Sequence, residues 1–198
     1  LAVLHTLARE HGALVIHDEI ATGFYRTGPR WAADHASGTN LTPDILCVGK
    51  ALTGGYLTLS AVLCTRDVAT GVPRGEAGGL MHGPTFMANP LACAIASASL
   101  DLLDDAPAKV ARIQTGLDAG LAPARTLGCV ADVRTLGAVG VIELREPVRV
   151  AEVTAAAIER GVWVRPFRNL VYTMPPYVTS DEDLAILSAA LVASVASV

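Results

Sequence analysis

Apolar positions along the chain follow two rhythms. Leu1, Leu4 and Leu7 recur at helical spacing and the stretch stops at Gly12, which predicts a helix over 1–11. Three short continuous apolar runs follow, at 13–16, 45–48 and 57–64, the pattern of strands buried on both faces. A helical pattern covers 90–103. Short buried strands alternating with helices predict an α/β fold around a parallel sheet. Past Asp104-Asp105-Ala106-Pro107 the character changes. The pattern there predicts a helix at 109–125, strands at 129–134 and 138–144 around Gly137, a helix at 149–160, a strand near 162–165 and a helix at 180–196. Ser180-Asp181-Glu182-Asp183 reads as the cap of that last helix, its acids favoured by the helix dipole. The second half is therefore a small α+β domain, and two domains are expected over 1–105 and 106–198.

Composition narrows the classes. With 52% apolar and 17% charged residues among 198, the chain can fill a core and is not disordered. A net charge of −4 gives no basic footprint, so no nucleic acid is expected as a partner. Cys47, Cys64, Cys93 and Cys129 lie far apart, without a C-x-x-C pair or ligand-like spacing to histidine. They are expected to be reduced and mostly buried, with no metal. The apolar tail from Asp183 is shorter than the ~20 residues of a membrane span, so no membrane is expected and the chain is placed in the cytoplasm. The opening, with neither Met nor a signal-peptide layout, reads as the middle of a helix and suggests a portion of a longer protein.

The strand ends carry the chemistry. Asp18 follows the first apolar run and Lys50, one of two lysines in the chain, follows the second. In open parallel sheets ligands sit beyond the carboxyl ends of the strands. A carboxylate and an amine there can be a structural ion pair. Alternatively, a buried lysine beside flexible glycines forms Schiff bases with carbonyls. Its free pKa of about 10.4 demands desolvation or condensation with an aldehyde before it acts near neutrality. Pyridoxal phosphate supplies that aldehyde, and its ring nitrogen needs an acidic partner.

Three blocks, DEIATGFYRTG, PDILCVGKALTGGYLTLSAVL and MHGPTFMANPLACA, resemble the class III (fold type I) pyridoxal-phosphate-dependent aminotransferases. The resemblance runs through 13–100 and continues in RPFRNLVYTMPPYV. It implies part of a large parallel-sheet cofactor-binding domain followed by a small carboxyl-terminal α+β domain. It also implies that Lys50 holds pyridoxal phosphate, that Asp18 pairs with its ring nitrogen, and that Pro84 and Thr85 reach its phosphate across a homodimer interface. Gly83 and Arg26 would line the substrate site, and Arg165 would receive a substrate carboxylate in a partly dry pocket between Trp163 and Phe167. Simpler roles stand beside these: Thr85 as a helix cap, Arg165 as a surface charge, His17 and His82 as packing residues. Arg168 is left undecided. Tyr25 occupies a position where glycine is frequent in the family, a departure from the family's loop pattern. The segment AADHASGTNLT is about three residues longer than in familiar relatives, as a surface excursion tolerates.

Within the family, ALTGGYLTLSA, HGPTF and the RPF–YTMPPY block resemble the branch serving biotin synthesis. That branch implies 8-amino-7-oxononanoate as acceptor and S-adenosylmethionine as donor. An enzyme of the same class acting on ornithine, 4-aminobutyrate or an ω-amino acid is the alternative, as is a non-catalytic truncated paralogue. No Gly/Ser phosphate cup precedes the first strand. The chain by itself is therefore expected to have little activity, and its incomplete sheet to expose apolar edges and faces.

Overall fold

The helical spacing at the amino end is realised as α1 (Ala2–Glu10), and Gly12 turns the chain out of it at φ +64°, a left-handed conformation open to glycine. Strands β1 (Ile16–Asp18), β2 (Ile45–Val48) and β3 (Ala61–Cys64) form one sheet in that order, with helices α2 (Arg66–Gly71) and α3 (Pro90–Asp101) following. This computed structural model describes residues 1–36 and 41–197, so the middle of the AADHASGTNLT excursion lies outside the described residues. Contacts divide the chain into two compact units, one of residues 1–25 and 29–104, the other of residues 26–28 and 105–198.

In the first unit β1 and β2 run parallel, with Ile16 opposite Ile45 and Asp18 opposite Cys47. The expected all-parallel arrangement stops there, because β3 runs antiparallel to β2. The physical reason lies in the connection between them. It contains a single 3₁₀ turn, Lys50–Thr53, rather than the helix that a parallel crossover requires. The strand expected at 57–64 is confined to its last four residues, since Leu57 C=O is taken by the Thr53 hydroxyl. Phe24, Val48, Leu52 and Ala96 make the buried centre of this unit, with Trp31, Leu46 and Leu100 around it. Burial on both faces of the strands is not observed: Ile16, Val62 and Leu63 are exposed, Val62 to 69%. No described element covers them. The thiols follow suit, with Cys47 partly buried and Cys64, Cys93 and Cys129 exposed, contrary to the expectation of mostly buried cysteines.

The second unit is better filled. Helix α4 (Ala106–Leu121) buries Val110, Ile113, Leu117 and Leu121 along one face. It starts three residues earlier than expected, because Pro107 suits a first helical turn. Strands β4 (Val130–Thr135), β5 (Gly140–Leu144) and β6 (Leu170–Thr173) form an antiparallel sheet, with α5 (Val150–Ile158) between the last two and α6 (Asp181–Ala196) at the end. Ser180 caps α6 as expected, its hydroxyl accepting the Asp183 N–H at 3.0 Å. Gly116 and Gly120 on α4 leave room for Leu184 and Ser188 of α6; a Cβ on Gly120 would lie 2.6 Å from the Ser188 hydroxyl.

The strand expected at 162–165 is instead an extended stretch without a ladder partner, and Val164 C=O is satisfied by the Thr154 hydroxyl at 3.2 Å. The ladder is made by β6, after a tight turn in which Phe167 and Leu170 exchange both backbone hydrogen bonds at 2.9 Å. Arg168, the first central residue of that turn, has φ +55°. That position favours glycine in two-residue hairpins.

Candidate active site

The carboxyl ends of β1 and β2 lie side by side, because parallel neighbours in register end at one edge of a sheet. Asp18 is the last residue of β1, and Lys50 stands three positions beyond its partner Cys47. Asp18 Oδ1 accepts the Ile20 N–H at 3.0 Å, which orients the carboxylate. Among the described residues no ion pair joins Asp18 to Lys50, so the simple salt-bridge reading is not realised. Lys50 is exposed rather than buried, since it opens a 3₁₀ turn at the rim where no described element covers it. Its φ of +47° is a left-handed conformation that side chains rarely adopt, and such strain gathers at functional positions. One amine and one acid at a shared sheet edge, the amine held by backbone geometry, fit the donor set that pyridoxal phosphate requires.

The loop after β1 is organised by Glu19, a residue that the sequence pattern does not single out. This side chain is only 3% exposed. Its Oε2 accepts the Thr22 hydroxyl and its Oε1 accepts the Ala33 N–H at 3.2 Å. Its own C=O accepts the Gly23 N–H at 2.9 Å. Gly23 is obligatory there, since a Cβ would lie 2.9 Å from that carbonyl and from the Trp31 ring. The D-E-x-x-T-G order thus has a local mechanical meaning. The same loop keeps a glycine-like course at Tyr25, with φ +74° after Phe24 at +58°. Tyr25→Gly is expected to stabilise the fold by about 0.5–1 kcal/mol, while Tyr25→Ala, which retains the Cβ strain, gives no gain. Urea midpoints of the three proteins check this; a loss for the glycine variant would mean that the ring's packing outweighs the strain.

His17 faces the other histidine of this region. Its Nε2 lies 2.7 Å from Nε2 of the buried His5, with the rings edge to face, a separation that accommodates one shared proton. Burial and then His5 push the His17 pKa below the ordinary imidazole value, with Glu19 opposing. The folded chain therefore binds a proton at His17 less readily than the unfolded chain does. Its stability should fall as pH drops through and below about 6.5, and this contribution should level off above that value. Thermal midpoints between about pH 8 and about pH 5 will show it, and His17→Phe should flatten the decline relative to the parent.

Gly83, Pro84 and Thr85 belong to the first unit, in an exposed, irregular stretch. Leu80, Met81, Phe86 and Met87 flank them, all largely solvent-facing. Thr85 caps no helix: α3 is capped by Asn89, whose Oδ1 accepts the Ala92 N–H at 2.9 Å. His82 is likewise exposed, so it is not a packing residue in the described chain.

Arg26 and Arg165 belong to the second unit. Arg26 Nη1 donates to the carbonyls of Pro175 at 2.7 Å and Ala138 at 3.1 Å, and its guanidinium lies 4.6 Å from the Tyr177 ring centre. Burial lowers the Arg26 pKa and raises that of Tyr177, each partly countered by the other. Arg165 lies in an open groove of about 580 Å³ with Trp163, Tyr172, Pro175, Pro176 and Leu187. The expected dry setting is absent, because Trp163, Arg165 and Phe167 are all exposed, the first two on a stretch without a ladder partner and Phe167 at the hairpin tip. Arg168 lies with its guanidinium 5.3 Å from the Phe167 ring centre, at the hairpin tip.

Comparison with known proteins identifies the family and the fold. The class III aminotransferase family pattern matches residues 1–195. The adenosylmethionine-8-amino-7-oxononanoate aminotransferase of Mycobacterium leprae is 54% identical over 194 residues, covering 97% of this chain and 44% of its own length. The protein of that name from Corynebacterium glutamicum is 52% identical over 193 residues, with coverages of 96% and 45%. Among solved structures, the enzyme of that name from Methanocaldococcus jannaschii superposes with a TM-score of 0.84 at 30% identity, over 97% of this chain and 48% of its own. A PLP-bound amine transaminase from an uncultivated Pseudomonas species gives 0.84 at 31% identity, over 96% and 46%. This chain spans a little under half the length of the relatives it matches. Its fold is that of the fold type I transaminases, and the chain belongs to the class III aminotransferases.

Proposed function

We propose that this chain carries the lysine-bearing portion of an aminotransferase that moves an amino group from S-adenosylmethionine to 8-amino-7-oxononanoate, with pyridoxal phosphate as cofactor. The observation that carries the reading is the register of β1 and β2, which brings the ends bearing Asp18 and Lys50 to one sheet edge. The 54% and 52% identities to proteins of that name support the substrate pair. The exposed apolar residues Leu80, Met81, Phe86 and Met87 support a homodimer in which Pro84 and Thr85 serve the partner's cofactor phosphate. A cytoplasmic setting follows from this metabolic role.

Pyridoxal phosphate, when bound, supplies an aldehyde carbon and an electron-accepting ring. Lys50 Nζ would hold that carbon and, when free, would act as the base that takes the proton from the donor carbon and as the acid that delivers it to the former aldehyde carbon. The Asp18 carboxylate would stand against the ring nitrogen and favour its protonated form by charge complementarity. Arg165 presents a planar fork to a substrate carboxylate. Arg26 commits Nη1 to two carbonyls and would line the substrate site through the rest of its guanidinium. Gly83, without a side chain, leaves space for substrate beside Thr85.

The test is a hybrid joining this chain to the amino-terminal half of the Mycobacterium leprae relative. With pyridoxal phosphate it should develop a visible absorbance band that Lys50→Ala removes. Turnover should favour S-adenosylmethionine with 8-amino-7-oxononanoate over ornithine, 4-aminobutyrate and ω-amino acids. Absence of the band in the parent hybrid overturns the reading, and preference for one of the other donors moves it to another enzyme of the class. The 198 residues alone should show no transamination; robust turnover by them would overturn the partial-chain reading.

A further inference from the structure

We infer that the Glu19 side chain is a positioning group for the cofactor edge, acting through the turn that orients Asp18 rather than on substrate. This rests on the proposed roles of Asp18 and Lys50. A carboxylate 3% exposed, with no Lys, Arg or His in ion-pair range among the described residues, is costly to bury. An apolar side chain would fill the space without that penalty. What it would not do is accept hydrogen bonds from the Thr22 hydroxyl and the Ala33 N–H, which lie three and fourteen residues further along the chain.

The main chain at Glu19, independently of its side chain, joins the two strands that carry the proposed site. Its N–H donates to Cys47 C=O at 2.9 Å, extending the β1–β2 pairing one step beyond Asp18 and toward Lys50. Its C=O accepts the Gly23 N–H at 2.9 Å and closes the turn from Glu19 to Gly23. That turn contains Ile20, whose N–H at 3.0 Å is the group that orients Asp18 Oδ1. The buried carboxylate therefore fixes the turn from one side, and the turn fixes the direction of Asp18. Asp18 Oδ2 carries no hydrogen bond among the described residues and is the oxygen left for a ligand. Without the Glu19 side chain the turn is tethered only by backbone, and Asp18 samples other orientations. Small misplacement of a charge-stabilising group is expensive in binding and rate.

The experiment uses the hybrid protein loaded with pyridoxal phosphate and reads two quantities besides activity: the dissociation constant of the cofactor and the pH at which its visible band shifts. Glu19→Ala should weaken the cofactor by about tenfold and move the band's midpoint by about half a pH unit or more. Glu19→Gln keeps a side-chain oxygen of the same reach, and both readouts should stay close to the parent values. Thr22→Val, which removes one hydroxyl and little volume, should fall between the two and stands in should Glu19→Ala not fold. A merely structural role would lower the thermal midpoint while leaving affinity and band midpoint unchanged in the folded fraction, and that outcome overturns the inference. Glu19→Gln as impaired as Glu19→Ala overturns it too. If the parent shows no band, the reading of Asp18 and Lys50 fails instead, so the two failures are distinguishable.

Discussion

Gly137→Ala will destabilise the second unit by about 3–5 kcal/mol, the sum of a left-handed residue acquiring a Cβ and of overpacking against rigid backbone. Gly137 turns the β4–β5 hairpin at φ +57°. A Cβ there would lie 2.6 Å from Arg26 C=O and closer still to the backbone of Thr27 and Gly28. None of these atoms ends a flexible side chain, so nothing can swing away. The surroundings tie the turn down as well: Gly137 N–H donates to the Gln114 side chain at 2.7 Å, and Ala138 N–H to Arg26 C=O at 2.9 Å. For a unit of this size such a loss would lower the thermal midpoint by roughly 15–25 °C. Gly161→Ala separates the two causes, because Gly161 has φ +77° with open space around its Cβ position. It should lose only about 1 kcal/mol. Equal losses in the two variants would show that contact with residues 26–28 adds nothing.

The contrast with Arg168 shows what the amino-acid pattern can and cannot reveal. Gly137 announces its turn because glycine is the residue such a turn favours, and the strands on both sides of it are legible. Arg168 holds the same left-handed position in the turn before β6, without the residue that would signal it. The ladder is accordingly expected one apolar run too early. Strand β2 is legible to the residue because Pro43-Asp44 and Gly49 bracket it. Strand β1 begins later than its apolar run suggests: Val15 N–H is taken by the Asp44 carboxylate at 2.8 Å instead of a strand neighbour. The direction of β3 depends on how its connection folds, which periodicity does not encode. At the candidate site, Asp18 and Lys50 are legible as polar residues closing apolar runs. Glu19 is not, since its partner Ala33 lies in a distant 3₁₀ turn and only the fold brings them together.

On the role proposed for Asp18, Asp18→Asn will leave the fold intact and remove most of the hybrid protein's activity. The substitution keeps an oxygen in place of Oδ1 to accept the Ile20 N–H, and the side chain is exposed at the end of β1, so no buried group loses a partner. Thermal midpoints of the parent and variant hybrids should therefore agree. An amide, however, carries no charge with which to hold a proton on the cofactor ring. Removing one preorganised electrostatic group of this kind lowers turnover by about 10²–10³-fold. The loss should fall on kcat rather than on KM for 8-amino-7-oxononanoate, because no direct contact between Asp18 and that substrate is proposed. Turnover within about twofold of the parent at equal cofactor occupancy would mean that another acid partners the ring, and the β1–β2 register would lose its catalytic meaning.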